Sequence, residues 1–211
     1  MRWGPSLAQA CVLPLLLTAM LFAGPLAMWA VDWSRGQPAT APPLPRGPLP
    51  LRNLLVAPLT EEAAFRGCLL PFLLLRGAGP TAAAGLSLAA FGGAHLHHLH
   101  ELVAFGGWGR GEAALAVLFQ AAYTSIFGAY ASFLLLRTGH LAAPVLAHAF
   151  CNLMGLPRVA QLQRYPAPVA AAYALGAAAF GALLRPLTEP RLYGYPPGAG
   201  YGSVLLAGAA P

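Results

Sequence analysis

Two adjacent glutamates and an arginine, Glu61, Glu62 and Arg66, stand in the stretch "PLTEEAAFRG", surrounded by Leu, Ala, Val and Pro. Glu62 and Arg66 are four residues apart with the acid N-terminal, so on a helix they share a face in the favoured orientation and can neutralise each other. Glu61 is rotated about 100° from Glu62 and has no such local partner. It must therefore address another helix or water. Ionisable groups inside apolar segments mark functional sites by default, and an unpaired carboxylate there is a candidate general base. The structural alternative is an ion pair with a spare acid that snorkels or stays protonated.

A second polar island is "FGGAHLHHLH", Phe91 to His100. Neutral imidazole accepts a proton near pH 7, and His95, the deepest of the four, can share a water with a buried carboxylate. His97, His98 and His100 run outward and read as solvating or interfacial. A zinc cluster is the rival reading of this tract, because imidazoles at i and i+3 can share a face; no H-E-x-x-H pattern accompanies it. The third island, "HAFCN", puts His148 and Asn152 one helical turn apart on one face, both able to donate hydrogen bonds. Paired donors in a water-poor setting suit a developing oxyanion. They also suit a plain interhelical clamp. Cys151 beside His148 raises a thiol-protease reading, which placement at i, i+3 disfavours, since the sulfur is not aimed at its own base.

These groups must be positioned by elements that are overwhelmingly apolar. The 211-residue chain is 58% hydrophobic and 9% charged, which points to the membrane class. All twelve basic residues are arginines, scattered singly, with no cluster to track a phosphate backbone, so nucleic acid is not expected as a partner. Three cysteines in apolar segments fit reduced thiols better than a disulfide framework. Six apolar segments are expected, at about 6–31, 51–75, 80–97, 112–137, 139–156 and 167–188, with the third and fifth short for a full span. The fold class is thus an all-α, polytopic membrane helical bundle with an intramembrane catalytic cavity, read as one domain over 1–211. A helix from about Leu51 puts Glu61 roughly 15 Å along its axis, about half of a ~30 Å hydrocarbon core. The Pro-rich stretch 32–50 reads as a surface loop, "ELVAFGGWGRGE" as a second, and the Gly/Pro-rich tail 189–211 as poorly ordered. The first segment reads as a retained span, not a signal peptide.

Together the islands supply a carboxylate base, an imidazole base and two donors, the parts of a hydrolytic site. The motifs EExxxR (Glu61, Glu62, Arg66), FxxxH (Phe91, His95) and HxxxN (His148, Asn152), with "TSIFGAYASFLLLRTGHLAAPVLAHAFCNLMGLP" and "LRPLTEPRLYG", resemble the eukaryotic CAAX prenyl endoproteases, from about Leu13 to Gly194. The resemblance implies a multi-pass endoplasmic reticulum protease that removes the last three residues of farnesylated or geranylgeranylated CAAX proteins such as Ras-type small GTPases, before carboxyl methylation. It further implies that Glu61 and His95 activate water, that His148 and Asn152 hold the oxyanion, and that Glu62 and Arg66 support them. No cofactor is expected, with zinc as the alternative in a metalloprotease mechanism. Such proteins carry more membrane segments before the matching region, so an N-terminally shortened chain is expected. Substrate would arrive in the bilayer plane, because a buried prenyl chain contributes about 0.8 kcal/mol per CH₂. A proton-coupled transporter also fits buried Glu, His and Arg, and a non-catalytic scaffold fits the fold.

Overall fold

The computed structural model describes residues 5–37, 48–196 and 199–208, and its elements among them are all helical. They are α1 (Pro5–Leu21), α2 (Ala23–Ser34), α3 (residues 48–75), α4 (Pro80–Ala94), α5 (His97–Ala104), α6 (Arg110–Thr138), α7 (Ala142–Met154), α8 (Ala167–Leu187) and α9 (Tyr201–Gly208). Short 3₁₀ turns at Val159–Arg164 and Pro190–Tyr193 complete the set.

The outer face is apolar and much of the interior polarity is concentrated. Ile126 is 75% exposed and Leu175 69%, whereas Glu62 and Arg66 are fully buried. That inversion of the soluble-protein pattern is what a helical bundle in lipid requires, and the chain is a membrane protein. Two helices, α6 and α8, are each long and apolar enough to cross a membrane, and α1 with α2 makes a third span if the bent pair is counted as one. The helices α4 and α7, at 15 and 13 residues, fall short of a full crossing, as their sequences suggested.

Two segments differ from the expectation in instructive ways. The expected single span at 6–31 is bent by 72° between α1 and α2. Pro25 has no N–H for the Leu21 carbonyl and its ring crowds that carbonyl, so the helix turns there. The second segment, by contrast, is helical without a break from 48 to 75, but two of its stretches, Arg52–Val56 and Ala63–Leu69, are π-helical. Each lies just before a proline that cannot donate four residues back, Pro58 to Leu54 and Pro71 to Gly67. The backbone instead closes wider rings, Ala57 N–H to Arg52 O and Leu70 N–H to Phe65 O. The two glutamates ride on the α-helical piece between them, Ala57–Glu62.

The tail is also better structured than its composition suggested. Tyr193 is buried and its hydroxyl donates to Leu187 O at 2.5 Å, while Tyr201 and Leu205 of α9 pack on a core of Leu70, Leu74, Ala83 and Leu135. Helix α5 likewise occupies the start of the expected loop after residue 100. Most of the Pro-rich stretch, 38–47, lies outside the described residues; of its described parts, 32–34 and 48–50 are helical and 35–37 are not. The long α6 ends at Gly139, whose φ of +66° is the left-handed conformation that stops a helix at little cost only for glycine.

Candidate active site

Two helices meet at the carboxylate of Glu62. Its Oε1 accepts from Arg66 Nη1 at 3.2 Å within α3 and from His148 Nδ1 at 2.9 Å across to α7. A carboxylate without a proton can only accept, so this contact puts a proton on His148 Nδ1 and turns Nε2 toward the rest of the site. There Glu61 Oε2 lies 3.9 Å from Nε2. The imidazole thus stands between the two adjacent carboxylates, one on each ring nitrogen. Glu61 keeps 35% of its side-chain surface, whereas Glu62 keeps none. One acid is structural in its surroundings and the other is open.

Arg66 is held from three sides. Besides Glu62, its Nη2 donates to Gly128 O on α6 at 3.1 Å, and its guanidinium lies 4.4 Å over the Phe91 ring of α4. The contact with α6 is this close because residue 128 is a glycine. A Cβ there would come within 2.8 Å of Arg66 Nη2 and 2.7 Å of Leu88 Cδ1. Phe91 is 1% exposed and packs edge-on against Phe65 of α3 at 5.1 Å, His95 at 4.9 Å and His148 at 6.5 Å. It is the common wall between the two catalytic candidates. Phe127 of α6 also packs against the His148 ring, at 4.6 Å between centroids.

His95 follows the last residue of α4, and its Nδ1 meets Phe91 O at 2.8 Å. With Nδ1–H spent on that carbonyl, Nε2 carries the lone pair. Asn152 lies one turn beyond His148 and is exposed; its Nδ2 donates to Asn53 O at 2.9 Å, in the first π stretch of α3. The structure therefore brings Glu61, Glu62, Arg66 and His148 into direct contact, joins His95 to them through Phe91, and sets Asn152 at the far end of the same α3–α7 contact. His148 and Asn152 do not share an acceptor, since one N–H of each is already engaged with the protein. Each keeps a further polar position, Nε2 of His148, which donates only when the ring is doubly protonated, and the second amide hydrogen of Asn152.

Three participants carried no signal in the reading of the sequence: the carbonyls of Gly128 and Asn53, and the contact of Glu62 with His148. The first two are backbone atoms, and the third joins residues 86 apart. A lone Asn53 in an apolar run was the single side-chain hint, and it is the backbone of that residue that matters. Outside the site, His97, His98 and Glu101 on α5 form an exposed cluster, with His98 Nδ1 2.9 Å from Glu101 Oε2. The hydrogen bond from His98 holds the Glu101 carboxyl below its ordinary range. Among the described residues this is the one group of three possible metal ligands whose donor atoms lie within 4.8 Å of one another; Glu61, His95 and His148 do not make such a group.

Comparison with known proteins identifies the family. The family described as Type II CAAX prenyl endopeptidase Rce1-like matches residues 45–154, a range that holds all three motifs. The chain is 44% identical to human CAAX prenyl protease 2 over 197 residues, 88% of this chain and 59% of that protein. It is 39% identical to CAAX prenyl protease 2 of Arabidopsis thaliana over 205 residues, 88% of this chain and 65% of the relative. A probable CAAX prenyl protease 2 of Schizosaccharomyces pombe is 39% identical over 106 residues, half of this chain and 39% of that one. No solved structure matches. A helical membrane protein whose site joins one buried and one open glutamate, an arginine and two histidines through these motifs belongs to the Rce1-like family of type II CAAX prenyl endopeptidases. It spans about three fifths of the length of the human and plant relatives.

Proposed function

We propose that this protein is an intramembrane endopeptidase that removes the C-terminal aaX tripeptide from farnesylated or geranylgeranylated CAAX proteins, Ras-type small GTPases among them, in the endoplasmic reticulum membrane. The observation that carries the reading is the pair of carboxylates on the two nitrogens of His148, one closed off by Arg66 and one open. The names of the relatives supply the substrate class.

In this reading Glu61 and His95 take a proton from the attacking water as its oxygen bonds to the scissile carbonyl carbon. The carbonyl oxygen becomes an oxyanion, which His148 Nε2 and Asn152 stabilise by donating hydrogen bonds. Since His148 Nδ1–H already serves Glu62, donation through Nε2 needs the doubly protonated ring. Arg66 and Gly128 O hold Glu62 in place for the task. Collapse of the intermediate breaks the C–N bond, and the proton taken from water passes to the departing amine of the tripeptide. No metal enters these steps. A metalloprotease mechanism is the alternative within the same activity, and it would show as loss of turnover on chelation that Zn²⁺ restores.

The activity is tested by incubating membranes that carry the protein with a farnesylated CAAX peptide and following release of the tripeptide. Release by the parent and none by Glu61→Ala, at equal amounts in the membrane, is expected. Equal release by both removes Glu61 from the reaction, and no release by either removes the proposed substrate.

A further inference from the structure

The tract His97–Glu101 is not used by the hydrolytic reading, yet its side chains converge. His97 Nε2 lies 3.9 Å from Glu101 Oε1, His98 Nδ1 lies 2.9 Å from Glu101 Oε2, and the two imidazole centroids are 4.1 Å apart. We propose that His97, His98 and Glu101 form a binding site for a zinc-class divalent ion, separate from the Glu61/His95/His148 constellation.

The first support is the spacing of donors. Bond lengths of 2.0–2.2 Å at a tetrahedral ion put its ligand atoms about 3.3 Å apart, and each imidazole lies within about 0.6 Å of that separation from one of the two Glu101 oxygens. One donor atom from each of the three residues lies within 4.8 Å of the others, so small side-chain rotations close the set. The second support comes from behind the ligand. His97 Nδ1 meets Ala94 O at 2.6 Å, which holds the proton on Nδ1 and leaves the lone pair on Nε2, the nitrogen that faces Glu101. A backbone carbonyl fixing the tautomer of an imidazole is the usual outer partner of a metal-bound histidine. The third is local architecture: α5 begins at His97, so all three residues lie in its first five positions and are set by one short rigid element.

Two imidazole nitrogens and one carboxylate oxygen suit Zn²⁺ and its neighbours, while Ca²⁺ and Mg²⁺ prefer oxygen throughout. Three protein ligands leave the fourth position to water. His95 lies two residues before the first ligand, so an ion here would brace the turn between α4 and α5 and leave the carboxylate pair of α3 untouched.

The test uses the full chain purified in detergent through a tag without histidine, stripped with chelator and titrated with Zn²⁺ by calorimetry. Co²⁺ in place of Zn²⁺ reports geometry, because tetrahedral Co²⁺ gives intense visible absorption. One site is expected, weakened about tenfold or more in each of His97→Ala, His98→Ala and Glu101→Gln, and unchanged in Glu61→Ala and His148→Ala. Absence of uptake by the parent chain overturns the proposal, as does uptake indifferent to the three α5 substitutions. Uptake lost in Glu61→Ala or His148→Ala also overturns it, by moving the ion to the carboxylates. The readout is binding, so its failure is distinct from failure of tripeptide release.

Discussion

Two histidine–glutamate contacts of the same length, 2.9 Å, occur in this protein, His148 with Glu62 and His98 with Glu101. The first is closed in by Arg66, Phe91 and Phe127; the second faces outward from an eight-residue helix. In the interior, losing a partner strands a charge in a medium that cannot solvate it. At the surface, water takes the place of the lost group. Equal geometry thus goes with unequal consequence, and the same pair of residue types can frame a reaction in one place and remain free to take up a ligand in the other.

That contrast is sharpest in activity. Glu61→Ala and His95→Ala are each expected to abolish tripeptide release with the protein still present in membranes, and the double substitution to lose no more than either alone, because both act on one water. Additive losses in a kinetic comparison would separate their roles. The buried side of the contrast shows in stability: Arg66→Ala is expected to cost about 3–5 kcal/mol, seen as a lowered melting point in detergent, by leaving Glu62 uncompensated. Joint replacement, Glu62→Gln with Arg66→Met, should be milder than the sum of the singles, which a double-mutant cycle measures.

Asn152→Ala is expected to lower kcat by about 10²-fold with KM nearly unchanged, if its free amide hydrogen meets the oxyanion. A change in KM alone would leave Asn152 as the latch to Asn53 and nothing more. Gly128→Ala should cost about 1–3 kcal/mol through displacement of Arg66 and Leu88, with a loss of turnover that tracks the displaced guanidinium. The smallest effect belongs to the surface pair. His98 lowers the Glu101 carboxyl, so the contribution of that pair is complete above the ordinary carboxylate range and disappears as pH falls through the lowered value. Amide exchange of α5 should quicken on that acid limb in the parent and show no such step in Glu101→Gln.

Much of this was legible in the sequence, for reasons that differ by residue. Glu61, Glu62 and Arg66 declared themselves because charge in an apolar run has few explanations, and the i, i+4 spacing of Glu62 and Arg66 is the contact observed. His148 was legible as a polar group on a hydrophobic helix but its partner was not, because the 86-residue separation is closed only by packing α7 on α3. The bend at Phe22 was written in Pro25, though the hydropathy of 6–31 masked it. Helix α9 was hidden by glycine and proline around it, which lower local propensity without forbidding a helix that packs on Leu74.

The two contacts between α3 and α7 run in opposite order along the chains: Asn53 with Asn152, then Glu62 with His148. They work like the wards of a key, both fitting only at one phase of α3. Adding or deleting one residue between 53 and 62 would rotate everything beyond it by about 100°, so either the amide or the carboxylate would lose its counterpart. The first wide turn, Arg52–Val56, already overlaps that span and sets the phase between the two contacts. In this stretch the number of residues matters as much as their identity.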